Sequence, residues 1–417
     1  MTNGLIDTAV RLQNGSDLKH GEFRRPARSR EKPVRGQNIV HAGIHNRELV
    51  LQHVRANQPI SRVALAELTG LTQATAFKIA QDLLKDNYLL ASLKREGLRG
   101  QPTSLLNINP DAAYSLGVNI DRDHISIVLL DFGGHVRETF RREIPFPSPT
   151  AVTQLFLKSV KWIEQNRPGV MDKVAGIGLS IPDEFARPGN AHLKRLWDEV
   201  CLEKLFVAIS PLPLVVENDA AAAAIGEMIF GAGKAVNSFF YIYISVGLGG
   251  GLVVNRRYVR GSRGLSGELR FLPRVNPFRP SSSALVQGIE SIVSIAGLLN
   301  ALANAGHPLS RIDDATLDDA KAQTVVRDWA GHAADILYLP LLAAICVVDP
   351  DAVFIGGNLP AFLIDLLATQ TSKRLSISLG PDRSEQIVRP GKIPGNAAAI
   401  GAAVLGFKDL WGRNVFE

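Results

Sequence analysis

The spacing of apolar side chains divides the chain into three stretches of different character. Residues 1–42 are polar and arginine-rich (FRRPARSREKPVRGQ) with no sustained period, and read as a flexible basic arm. From Asn46 to Leu90 the period becomes helical. NRELVLQHVRAN sets Val50 and Val54 four residues apart and stops at Gln58-Pro59, because proline lacks the amide hydrogen that continues a helix. Ser61 is a good N-cap for RVALAEL, and Gly70 suits the tight turn that follows such a helix. Thr72 caps a third segment in which Ala76, Ile79, Ala80 and Leu83 follow helical spacing, leaving Gln73, Ala74, Thr75 and Lys78 on the other face. Tyr88-Leu89-Leu90 and Thr103–Ile108 then flank the charged turn KREGLRGQP.

Three short helices followed by a hairpin outline a winged helix-turn-helix over residues 43–110, with a small dimerising bundle as the alternative. In the first case the third helix enters the major groove by its N-terminal residues. The turn at Arg99 and Gln101 then lies along the backbone or in the minor groove. The expected DNA-contacting set is Ser61, Thr72, Gln73, Ala74, Thr75, Lys78, Arg99 and Gln101.

Beyond Pro110 the pattern alternates between strands and helices. SLGVNID, HISIVLLDF, GHVRETFRREI and VAGIGLSIP read as strands, with AVTQLFLKSVKWIEQN as an amphipathic helix before the last of them. LPLVVEND runs into an alanine-rich helix, FFYIYISVGLGGGLVV is a glycine-interrupted pair of strands, and DAVFIGG is a strand ending in a turn. The fold class is therefore α/β, in two lobes, here assigned to residues 111–220 and 221–417.

Charge sharpens the division. Residues 1–110 hold 16 Lys and Arg against 9 Asp and Glu, whereas the remainder holds 30 against 31. A basic segment on a near-neutral body fits a polyanion partner, double-stranded DNA above all, although a basic tail can also be merely solvated. Cys201 and Cys346 are the two cysteines of the chain, too few for a cysteine-rich zinc site. They are expected to be buried thiols in a reducing compartment. The longest apolar run, Ile336–Val348, falls short of the about 18 to 20 residues of a membrane span, so no membrane is expected. The N-terminus lacks an apolar secretory core, which makes the cytoplasm the expected location.

Two places can carry chemistry. The glycines of Gly247–Gly251 allow close backbone approach to a ligand, or simply form a hairpin. Asn218-Asp219 follows an apolar strand and precedes a helix, the edge where α/β folds hold ligands; Asp219 can accept a proton from a hydroxyl or cap the helix.

The series NRELVLQHV, SRVALAELTGLTQAT, GQPTSLL, VENDAAAAAIGE, SVGLGGGLV, GLSGEL and FIGGN resembles the ROK family of sugar-responsive repressors and sugar kinases from about residue 45 to the end. It is similar to the regulator branch of N-acetylglucosamine and xylose repressors. The resemblance implies a two-lobed, actin-like sugar kinase fold (the sugar kinase/Hsp70/actin ATPase type) behind the winged head, with a C-terminal helix returning to the first lobe. It also implies a sugar or polyol held by Asn218, Asp219, Glu268 and Glu290, with Asp219 matching the base of the kinases, unless these carboxylates only cap helices and pair with Arg263 or Arg270.

The departures are as informative. The phosphate loop of the kinases is replaced by Asp121-Arg122-Asp123-His124-Ile125, and the phosphate-contacting Thr of the second motif by Val246. No ATP and no enzymatic activity are therefore expected, with Asp219 a vestigial base. The family zinc cysteines are missing and Phe271 stands where a zinc His would be, so no metal is expected and an aromatic edge is assigned to the sugar site. The resulting expectation is a homodimeric or homotetrameric transcriptional repressor of carbohydrate genes with a sugar effector. The alternatives are a sugar kinase that kept a DNA-binding head, or a regulator controlled by a protein partner.

Overall fold

A computed structural model describes residues 39–94, 103–183, 197, 200–275, 277, 288–312 and 320–411. Most of the basic arm lies outside these residues, as do Arg99 and Gln101; residues 39–42, assigned above to the arm, belong to the first helix.

The N-terminal head comprises α1 (Ile39–Asn57), the short β1 (Ile60–Ser61), α2 (Arg62–Thr69), α3 (Gln73–Lys85), β2 (Leu89–Lys94) and β3 (Thr103–Ile108). Local chemistry sets these boundaries. The Ser61 side chain accepts from the Ala64 amide and the Thr72 side chain from Thr75, while Gly70 ends α2 at φ 67°, a conformation that costs a side chain strain. The strands pair antiparallel in the order β1-β3-β2. Ala76, Ala80 and Leu83 turn inward, whereas Gln73, Ala74 and Lys78 are exposed and Thr75 is half-buried.

The body is built on two five-stranded sheets. The first holds β4 (Tyr114–Ile120), β5 (His124–Asp131), β6 (Val136–Glu143), β7 (Val174–Ile181) and β8 (Leu214–Asn218) in the order β6-β5-β4-β7-β8. The second holds β9 (Phe239–Ile244), β10 (Leu248–Val254), β11 (Arg257–Tyr258), β12 (Ala352–Gly357) and β13 (Val388–Pro394) in the order β11-β10-β9-β12-β13. In each, three antiparallel strands are followed by two parallel ones, so one topology occurs twice. The pattern of apolar residues gave two lobes but not this duplication.

Between the sheets lie two alanine-rich helices that exchange sides. α4 (Pro149–Asn166) and α5 (Leu202–Ile209) cover the first sheet, and then α6 (Asp219–Phe230) leaves β8 to pack on β10 of the second. After α7 (Ile295–Asn304), α8 (Ala320–Val348), α9 (Ala361–Leu379) and α10 (Pro381–Ile387), α11 (Ala397–Gly406) leaves β13 to pack on β4 and β7 of the first. Glycines permit this closeness: a Cβ on Gly178 would lie 1.7 Å from the Ala402 carbonyl oxygen, and one on Gly401 1.7 Å from that of Ala222. A last turn, α12 (Lys408–Trp411), carries Trp411 against α1, joining head and body in one core with Val50, Val54, Phe132 and Phe407.

One expectation is corrected: Cys201 and Cys346 are both exposed. The apolar run Ile336–Val348 is part of the 29-residue α8, which by length and composition alone is long and apolar enough to cross a membrane. Its inner face joins the second core, where Trp329 donates to the Ile292 carbonyl and Asp335 pairs with Arg374.

The glycine contacts make a testable contrast. Gly401→Ala should destabilise by about 1 to 3 kcal/mol through overpacking. Gly331→Ala, in α8 with nothing within 4 Å of the new methyl, should stabilise by about 0.5 to 1 kcal/mol through helix propensity. Thermal melts of the two variants check both signs.

Candidate functional site

The cleft between the lobes forms where α6 begins. Asn218 ends β8 and caps α6, its side-chain oxygen accepting from the Ala220 and Ala221 amides at 2.9 and 3.2 Å. That leaves the amide NH2 of Asn218 as its outward donor. Asp219 is the first helical residue, 6% exposed, and its carboxylate accepts from the Ala220 amide at 2.8 Å. Burial, and after it the charge of Asp121, push its carboxyl up to about 7. The β4–β5 turn brings Asp121 here, buried and held by the Arg122 amide and the Asn358 side chain. Burial, then the neighbouring Asp123, raises its pKa as well. Asp123 is lowered on balance: burial pushes it up, but its 2.6 Å contact with His124 outweighs this.

Two arginines pair with further carboxylates around the cleft. Arg270 pairs with Glu268 at 2.9 Å and reaches Asp183 of the first lobe at 3.7 Å. Arg122, on the β4–β5 turn, reaches Glu290 of the other lobe at 3.4 Å. The Glu290 carboxylate also accepts from the Leu248 amide at 3.4 Å. Both arginines therefore bridge the lobes, and the cleft that Asp183, Asn218, Asp219, Glu268 and Arg270 line leaves only about 20 Å³ for solvent, room for about one or two water molecules.

Of the residues expected around a sugar, Asn218, Asp219 and Glu268 line one cleft and Glu290 stands at its edge through Arg122. Phe271 does not. It is 61% exposed and its ring lies under the Arg270 guanidinium at 4.7 Å, because the short 3₁₀ turn Leu269–Phe271 sends Leu269 inward and Phe271 outward. Arg263 does not line the cleft; Arg270 does, as the partner of Glu268. Arg122 and Asp183 were not singled out, and the arginine at a turn where the resemblance calls for glycine was the available signal.

The glycine run behaves differently from a loop. Gly249, Gly250 and Gly251 lie within β10, and their missing side chains admit Ala220, the Gly267 carbonyl and Ala224 respectively. Gly249 and Gly251 thereby seat α6 closely, while Gly247 and Gly249 also line the cleft. Among the described residues, Asp121, Asp123 and His124 bring three possible metal-ligating atoms within 4.8 Å of one another. The 2.6 Å contact of His124 with Asp123 and the two donors on Asp121 already engage them. Most of residues 276–287, where the family zinc cysteines would fall, lies outside the described residues.

Comparison with known proteins agrees with this geometry. The sequence profile of the ROK family matches residues 115–408. The xylose repressor of Bacillus spizizenii is 26% identical over 369 residues, covering 85% of this chain and 93% of its own. A crystal structure of a ROK family transcriptional regulator, a homolog of the E. coli MLC protein, superposes with a TM-score of 0.61 at 20% identity, over 90% of this chain and 98% of that one. A ROK family glucokinase from Streptomyces griseus, crystallised with glucose and AMPPNP, gives 0.53 at 23% identity over 70% and 99%. These likenesses carry the actin-like sugar kinase fold.

The raised pKa of Asp219 has a stability signature. Its carboxyl holds its proton more tightly folded than unfolded, so its contribution is fully present below about pH 4 and is lost as pH rises through about 7. Asp219→Asn keeps the acceptor for Ala220 and removes the titration. The melting temperature of the variant minus that of wild type should therefore increase from pH 5 to pH 8, and a difference independent of pH would contradict the assignment.

Proposed function

The chain belongs to the ROK family, and from that premise we propose that it is a transcriptional repressor of carbohydrate uptake or catabolism genes whose DNA binding responds to a sugar or polyol in the interlobe cleft. The observation that carries this reading is that the head bearing an exposed, capped helix shares one core with the body, whose interlobe cleft is lined by Asn218, Asp219 and Glu268.

In this reading the head is a winged helix-turn-helix, with α3 as the helix that enters the major groove and the β2–β3 hairpin as the wing. Gln73 and Thr75 offer neutral hydrogen-bonding groups to base edges, and Lys78 is a phosphate partner one turn on. Ser61 and Thr72 act by capping α2 and α3, which orients the amide ends of those helices. One short helix buries too little surface for tight specific binding, so the protein acts as a homodimer or larger homo-oligomer. Its half-sites would stand about 34 Å apart, or a multiple of that.

For the effector, the Asn218 amide, the Asp219 carboxyl and Glu268 supply donors and acceptors for adjacent hydroxyls. Entry of a sugar into a cleft this narrow requires the Arg122 and Arg270 pairs to open, and because each spans both lobes, ligand binding is tied to lobe movement. That link supplies the differential affinity an effector needs, typically about 1 to 3 kcal/mol. No zinc or ATP is part of this reading, and the protein works in the cytoplasm.

A second reading has one observation in its favour: an Asp219 pKa near 7 suits a base that takes a hydroxyl proton. Against a sugar kinase stands the β4–β5 turn, where Asp121, Arg122 and Asp123 occupy the place of a glycine phosphate loop. Sugar-dependent ADP release at about 1 to 100 per second would establish the kinase; the repressor reading expects none, and less than 0.1 zinc per chain by elemental analysis.

Two sets of variants test the regulator. Lys78→Ala should weaken binding to all duplexes and lower the salt slope by about one unit, while Gln73→Ala should relax preference at one or two base pairs. Operator titrations at several salt concentrations measure both. Asn218→Asp keeps the oxygen that caps α6 but removes the outward donor. It should raise the Kd of the best sugar from a thermal-shift screen about ten-fold or more while leaving operator affinity unchanged. Wild-type affinity for that sugar would move the effector out of this cleft.

A further inference from the structure

A second cavity, separate from the cleft, is much larger than it. It measures about 300 Å³ and lies where the head meets the second lobe, between α1 and the C-terminal end of α6. Its walls carry the cations Arg55, Lys234, Arg256 and Arg257, with His45 and His53, against a single carboxylate, Glu48; burial, and after it the charge of Arg256, lower the His53 pKa, so the surplus rests on the arginines and the lysine. Glu48 itself is weakened as a counterion, since burial raises its pKa.

Arg55 is the unusual member. It is 6% exposed, with its guanidinium 3.7 Å from the Trp411 ring centre and 5.5 Å from that of Phe132. Its Nε and Nη2 have no hydrogen-bond partner, nor has the Nε1 of the indole beneath it. A buried cation left in this state is costly, and burial alone draws its pKa down to about 9. Stacking on aromatic rings offsets part of that cost but leaves the in-plane donors unmet. Across the cavity the β10–β11 turn holds Asn255 and Arg256 at φ 51° and 59°, and the Arg256 guanidinium is fixed by the carbonyls of Lys234 and Val236 at 3.2 Å each.

We propose that this cavity binds a small phosphate ester, with Arg55 as its most buried cation and Lys234, Arg256 and Arg257 around the phosphate. A dianion matches the surplus of cations, and the guanidinium fork suits paired phosphate oxygens. Leu49, Ala56, Met228 and Ile229 give the organic part an apolar wall, and the volume suits a small metabolite. The site is separate from the sugar cleft: the two lie at opposite ends of the twelve-residue α6. Because α1 supplies one wall and the second lobe the other, an occupant fastens the head to the body.

Calorimetric titration of the full chain with inorganic phosphate and with glucose 6-phosphate, against glucose and against chloride at equal ionic strength, tests this. Saturable binding of both phosphates is expected. Arg55→Gln should raise their Kd ten-fold or more, and the Lys234→Gln/Arg257→Gln double variant several-fold. Asn218→Asp should leave it unchanged, which separates this site from the sugar cleft. Because Arg55→Gln also removes a buried stack on Trp411, the double variant on the rim decides by itself: wild-type affinity there overturns the site. It is likewise overturned if the phosphates give no heat beyond the chloride control, if Asn218→Asp abolishes their binding, or if only duplex DNA competes for these residues.

Discussion

The contact between α6 and α11 is the constraint on which the rest of the molecule depends. Each helix leaves one sheet and packs on the other, so the lobes are joined by exchange, and the exchange requires backbones to approach as closely as alanine and glycine allow. Gly401 lies against the Ala222 carbonyl, Gly226 against Ala397 and Gly401, and Gly178 against Ala402. Larger side chains would lift the helices apart. The same seating puts the first turn of α6, with Asn218 and Asp219, opposite the β9–β10 connection, so cleft geometry follows from backbone closeness far from any ligand.

The electrostatics of the cleft follow from that placement. Asp121 and Asp219 are buried beside one another, and since like charges in a poorly hydrated place oppose ionisation, both hold their protons to higher pH than usual. Glu268 and Glu290 are instead matched by Arg270 and Arg122, each reaching across from one lobe to the other. The cross-links of this narrow cleft are therefore ion pairs, and a ligand that supplied other hydrogen bonds to the same carboxylates would compete with them.

Head and body are coupled by packing as well as by chain. Val50, Leu51 and Val54 of α1 share a core with Phe132, Phe407 and Trp411, and Tyr88 meets Phe132 at 5.4 Å with the two rings tilted by 54°. The head is therefore seated on the C-terminal turn of the body, and α11, which precedes that turn, is also the helix that spans the lobes. Two consecutive elements, α11 and α12, thus lie between the lobe-spanning contact and α1.

What the sequence determined by itself was whatever depends on near neighbours. Ser61, Gly70 and Thr72 placed the ends of α2 and α3, alternation and apolar runs placed the strands of both lobes, and Asn218-Asp219 announced the strand-to-helix edge where the cleft lies. The tertiary structure alone decided the features that join distant residues: the repetition of one sheet order, the glycines of β10 as seats for α6, and the capture of Glu290 by Arg122, 168 positions away. It also turned Phe271 out of the cleft and buried Arg55, a residue whose helical neighbours gave no hint of it. Caps and periods are fixed by hydrogen bonds within a few residues. The facing of a side chain and the partner of a buried charge are fixed only when separate elements pack, and one sequence carries no separate mark of that.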